Sequence, residues 1–144
     1  MERRYTAAGP QRVVVVGKSL GGLAATYALL SRPQLFSHYL IISPALWWDD
    51  YFYSFELRAI GRLEQQSKLT QLSSPTSVYI AMGDGEDRLG MLADVNVFAR
   101  ALRLRNDPNL ALTVQQLPGE LHTTIFPAGY VYGIRHLLGT AKTK

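Results

Sequence analysis

Three kinds of side chain in this sequence can combine into nucleophilic catalysis. They are a serine at Ser19, carboxylates at Asp84, Glu86 and Asp87, and a histidine at His122. A serine hydroxyl attacks a carbonyl only when a base takes its proton. An acid behind that base holds the imidazole in the right tautomer and stabilises its cation. The order along the chain is serine, acid, histidine, which is the order found when such a set is built on a strand-turn-helix elbow. Ser19 sits in Gly17-Lys18-Ser19-Leu20-Gly21-Gly22. A Gly-x-Ser-x-Gly turn of this kind forces the serine into a strained conformation with its hydroxyl pointing out. Gly17 and Gly21 are expected to be required there, because side chains would collide with the neighbouring strand and helix. The N–H of Leu20, at the start of the following helix, is a candidate oxyanion donor.

The other residues sort by position. His38 precedes a strand, at the end opposite the serine, and reads as structural or surface. His136 lies within the last expected helix and reads as packed or exposed. Only His122, in a loop behind Pro118 and Gly119, is placed to reach Ser19. For the acid, Asp84, Glu86, Asp87 and Asp94 are all candidates, and each has the alternative of capping a helix or sitting in water. Glu86 is the preferred reading, and Glu120 is expected to be exposed. Trp47 and Trp48 either pack against the next helix or form an aromatic wall for an apolar substrate group. Lys18 is either a solvated cation or an attractor of anionic ligands. Reading Gly17-Lys18-Ser19 as the end of a phosphate-binding loop fails. That loop needs a glycine five positions before Gly17, and Arg12 stands there.

The elements that must position these residues follow from the apolar pattern. Residues 13–16 are four valines, a buried strand without alternation. A helix is expected over 20–31, stopped before Pro33. A second strand spans 39–42, and a helix occupies much of 51–69. Residues 78–82 form a third strand and 83–87 a carboxylate-rich turn. A helix follows over 91–104, then a strand over 112–117 and a last helix over 130–138. Short apolar strands alternating with helices predict an α/β protein, a parallel sheet with helices on both faces. In such a sheet ligands bind at the carboxyl ends of the strands. Ser19, Trp47, Glu86 and His122 each follow a different strand and are therefore expected on one rim.

Composition sets the frame. The 144 residues suit a single domain, with 1–12 as a polar lead-in and 139–144 as a frayed tail. The absence of cysteine excludes thiol catalysis, disulfides and cysteine-ligated metal, and no metal or cofactor is called for. Net charge is +4. Its densest group, Arg100, Arg103 and Arg105, reads as a solvated helix face, with no nucleic-acid motif beside it. No apolar run is long enough to span a bilayer and no signal peptide is visible, so the chain as it stands reads as cytoplasmic with no membrane partner.

With these residues in place, the sequence resembles the esterase-D-like group of α/β-hydrolases. The likeness is to the branch that opens trilactone siderophores of the enterobactin and bacillibactin type. Four blocks carry it: Gly17 to Leu23; Ile42-Ser43-Pro44-Ala45-Leu46-Trp47-Trp48; Gly83-Asp84-Gly85-Glu86; and Gly119-Glu120-Leu121-His122 through Phe126-Pro127 to Gly133-Ile134-Arg135. The resemblance implies a three-layer αβα hydrolase fold with Ser19 as nucleophile and His122 as base. Glu86 stands where relatives carry a glutamate, and some relatives work with a Ser–His dyad. Two departures matter. Lys18 replaces the usual histidine before the serine, which implies altered binding rather than lost chemistry. The family fold is also about twice this length, so the strands before the elbow, and the loop giving the second oxyanion donor, are not in this sequence. That leaves a C-terminal portion of a longer protein, a truncated frame, or a chain completed by self-association through an open sheet edge. Two functions follow: a serine esterase acting on a small-molecule ester, or a silent ligand-binding or interaction module built from half a hydrolase.

Overall fold

The computed structural model describes residues 12–49, 54–67 and 71–139. Residues 1–11 of the expected lead-in, 140–144 of the tail, Asp50 and Phe52 lie outside the described residues, as does the Asp87 side chain. The elements run β1 (Val14–Lys18), α1 (Leu20–Ser31), β2 (His38–Ile42), α2 (Ala59–Ser67), β3 (Thr76–Gly83), α3 (Met91–Leu104), β4 (Leu110–Leu117) and α4 (Ile125–Leu138). The four strands form one all-parallel sheet in the order β1-β2-β3-β4. Each crossover steps to the next strand in the same direction. With right-handed connections this sends α1, α2 and α3 to one face. α4 follows the last strand and returns across the other.

Successive strand residues point to opposite faces, and the core divides accordingly. Tyr39, Ile41, Val78, Ile80 and Met82 meet the faces of α1 and α3 and Ile60 of α2. Leu40, Ile42, Tyr79, Ala81 and Leu117 meet Ile125 and Leu137 of α4. Residues 39–42 are wholly buried, which is why their sequence shows no alternation. Burial pushes the Tyr39 phenol up to about 12.

Three expectations need adjusting. α4 begins at Ile125 rather than 130, because Pro127 falls in its first turn, where no intrahelical N–H is needed. The expected 51–69 helix is interrupted: among its described residues a single 3-10 turn at Phe55–Leu57 precedes α2, and Leu57, expected on the apolar side, is exposed. Arg105 is not solvated. It donates to the Glu64 carboxylate at 3.1 Å and to the Glu64 carbonyl, tying the end of α3 to α2.

Among the described residues β1 is an edge strand, bonded to β2 alone. Val15 packs against the three-helix face. On the other face Val14 packs against the α4 cluster, while Val16 stays 37% exposed.

Candidate active site

The four strand ends bring Ser19, Ser43, Glu86 and His122 to one rim. Ser19 occupies the turn between β1 and α1 with φ 56° and ψ −116°, a region that L-residues rarely adopt. Its N–H donates to the Ile42 carbonyl at 3.0 Å, and its carbonyl accepts from Leu23 and Ala45. The turn is therefore pinned to β2 and to α1 at once. A Cβ on Gly17 would lie 2.1 Å from the Gly21 carbonyl oxygen, so that glycine is required. Gly21 is not: its Cβ position is open space. The second crowded glycine is Gly22, whose Cβ would sit 2.9 Å from Cα of Pro44. The elbow thus packs directly on the loop after β2.

The Ser19 hydroxyl lies 3.0 Å from Nε2 of His122. On the far side of the ring, Nδ1 faces Oε2 of Glu86 at 3.4 Å. That is longer than an ordinary N–H···O bond, as catalytic bonds in unliganded sites often are. Glu86 is 1% exposed. Its other oxygen, Oε1, accepts from the Ser43 hydroxyl at 2.6 Å and the Gly83 N–H at 3.1 Å. A buried carboxylate is tolerated only when it is bonded in this way. With Glu86 accepting at Nδ1–H, Nε2 is left bare to accept from Ser19. α1 begins at Leu20, so the Leu20 N–H has no carbonyl one turn behind it.

The remaining candidates fall elsewhere. Asp84 accepts from the Gly119 N–H at 2.9 Å and braces the loop that carries His122. Asp94 pairs with Arg58, away from the serine. Glu120, expected to be exposed, is half-buried and accepts from the Thr124 hydroxyl. His38 bonds Ser37 at the opposite end of the sheet, and burial with the Arg12 charge lowers its pKa. His136 bonds Thr113 on the α4 face. The two tryptophans part company. Trp47 packs on the core, while Trp48 is exposed and lines a groove of about 910 Å³ between α1 and α2. Leu20, Leu23, Tyr27, Ile60 and Leu63 line it too; Leu20 directly follows the serine in the chain, while Ser19 and His122 themselves do not line the groove. Lys18 closes β1, half-buried, next to Ser19. Ser43, which bonds Glu86, is not among the residues singled out from the sequence. Its signal was available, since it stands before Pro44 in the most distinctive block of the sequence.

A parallel sheet ending in a strained serine, with a histidine and a buried carboxylate behind it, defines the α/β-hydrolase-like class. The chain belongs to the esterase family, whose model, described as "Putative esterase", matches residues 2–126. It is 31% identical over 94 residues to a siderophore triacetylfusarinine C esterase of Aspergillus fumigatus, a match spanning 65% of this chain and 31% of the relative. It is 25% identical over 146 residues to the ferri-bacillibactin esterase BesA of Bacillus subtilis, spanning 90% of this chain and 48% of that protein. Among solved structures, the siderophore hydrolase EstB of Aspergillus nidulans superposes with a TM-score of 0.77 at 20% identity. That match covers 93% of this chain and 50% of EstB, and it supports the fold. The chain therefore spans half or less of the length of these relatives.

Proposed function

We propose that this chain carries the nucleophile half of a serine esterase and transfers an acyl group from an ester to water. Ser19 Oγ attacks the ester carbonyl while His122 Nε2 takes its proton. The resulting oxyanion is met by the Leu20 N–H at the positive end of α1. Collapse expels the alkoxide, which receives the proton from His122 and leaves an acyl-serine. Water, deprotonated by the same imidazole, then attacks the acyl-serine and frees the acid and Ser19. Glu86 holds the ring and balances its charge. The observation that carries this reading is the 3.0 Å contact between Ser19 and His122, with a buried carboxylate behind the ring.

The substrate side rests on the groove. Its apolar walls and Trp48 suit the aryl or alkyl part of an ester, and Lys18, outside the groove but next to Ser19 in the chain, suits an anionic group beside the carbonyl. Siderophore esters of the kind named for the relatives combine ester linkages with such groups, and they are the substrates proposed here. The test is hydrolysis of p-nitrophenyl acetate and of a trilactone siderophore by the wild type and by Ser19→Ala. Turnover that vanishes in the variant supports the mechanism. Turnover that survives in a folded Ser19→Ala protein refutes it.

A second reading, a silent interaction module, is favoured by one feature. The exposed β1 edge adjoins the face where α4 leaves Phe126, Tyr130, Val131 and Tyr132 exposed. Such an edge invites pairing with a second copy. This reading expects self-association in sedimentation and ligand binding without turnover; a clean monomer that hydrolyses esters excludes it.

A further inference from the structure

We propose that Ser43 is a positioning residue for the histidine: through its hydrogen bond to Glu86 it sets which carboxylate oxygen faces His122. The inference rests on the Ser19–His122–Glu86 reading above. Three observations carry it. Ser43 is wholly buried, yet its hydroxyl has a single short bond, 2.6 Å to Glu86 Oε1. Among the described residues, the donors to Glu86 other than the histidine are Ser43 Oγ and Gly83 N–H, and both fall on that same oxygen. Two donors on one oxygen fix the plane of the carboxyl group and turn Oε2 toward Nδ1 of His122.

The third observation is the backbone. Ser43 adopts φ 42°, although it precedes Pro44, where extended backbone is the ordinary choice. A non-glycine residue held in the left-handed region is strained and persists only where the surroundings enforce it. The Ser43 N–H continues the β2–β3 ladder by donating to the Ala81 carbonyl at 2.8 Å. Left-handed backbone immediately after the strand then aims the side chain sideways, toward the turn after β3 that carries Glu86. Gly83, at the end of β3, cannot be replaced there, since a Cβ would lie 2.2 Å from the Glu120 carbonyl and 3.1 Å from Glu86 Oε1. The carboxylate is thus clamped between the ends of two neighbouring strands.

Glycine at position 43 separates geometry from hydroxyl, because it accepts positive φ without strain. Ser43→Gly is therefore expected to fold and to melt no lower than Ser43→Ala. Two readouts follow. The first is the 15N NMR signature of the His122 ring at a pH where it is neutral. The wild type is expected to show one tautomer, protonated at Nδ1, and Ser43→Gly a mixture of both. The second is kinetics on p-nitrophenyl acetate. Loss of one bond to a charged group is expected to lower kcat about tenfold with KM unchanged. In a Glu86→Gln background, Ser43→Gly should change kcat less than about twofold, since the two act as one unit. A single Nδ1–H tautomer in Ser43→Gly, or effects that multiply in the double variant, overturns the proposal. The tautomer measurement needs no turnover. Hydrolysis persisting in Ser19→Ala would thus refute the esterase reading while leaving the role of Ser43 decided on its own.

Discussion

Gly17→Ala is the sharpest test of how the elbow is built. The added Cβ would stand 2.1 Å from the Gly21 carbonyl oxygen and 2.4 Å from its carbon. Both are backbone atoms, so no side-chain rotation relieves the clash, and the first turn of α1 must move by about 1 Å. Overpacking of this kind costs about 1–3 kcal/mol. The functional cost is larger. The Ser19 hydroxyl rides on that turn, 3.0 Å from His122, and a displacement of about 1 Å between reacting groups costs on the order of a hundredfold in rate. Gly21→Ala is the control. It adds a methyl to open space in the first turn of the same helix and is expected to stabilise by about 0.5–1 kcal/mol. Thermal melts and the rate of fluorophosphonate labelling read both variants. A Gly17→Ala protein that melts and labels like the wild type would refute the reasoning. So would a Gly21→Ala protein damaged as badly as Gly17→Ala.

Among the acidic residues, Glu86→Gln should slow ester hydrolysis at least tenfold, while Asp84→Asn, which weakens only a loop brace, should change kcat less than about threefold; steady-state kinetics on one aryl ester separates them. Trp48→Ala should raise KM for aryl esters with little change in kcat, because it removes groove surface and no reacting group; an unchanged KM across a series of longer esters would show that substrate does not use the groove. His38 should make stability depend on pH. Its folded pKa lies below the unfolded 6.5, so below 6.5 the unfolded chain binds more protons at this site and stability falls until the folded pKa is passed. Melting temperature should thus drop on acidification through that window, and His38→Gln should flatten this part of the profile.

Much of this was legible in the sequence, for reasons that differ by element. The strand interiors announce themselves because a parallel sheet covered on both faces leaves no polar positions, as in Tyr39-Leu40-Ile41-Ile42. Ser19 and His122 could be assigned to one rim because strand direction alone decides which loops share an end. The acid was harder. Asp84 and Glu86 share one turn, and only three-dimensional packing turns Glu86 inward to Ser43 and Gly83 while Asp84 turns out to Gly119. The crowded glycine was misplaced by one, Gly21 for Gly22, because the collision partner is Pro44 of another loop rather than the elbow itself. Pro127 concealed the first turn of α4, since a proline there reads as a break although a helix start accepts it. Ser43 stands in the most distinctive block of the sequence, but its turn toward Glu86 depends on a backbone angle that sequence does not display.

The most direct test of the central claim is fluorophosphonate labelling followed by peptide mass spectrometry, run on the wild type, Ser19→Ala and His122→Ala with folding checked by circular dichroism. An adduct confined to Ser19, lost in Ser19→Ala and formed at least a hundredfold more slowly in His122→Ala, is the predicted result. A folded wild-type chain that forms no adduct, or one that labels as fast without His122, would contradict the account.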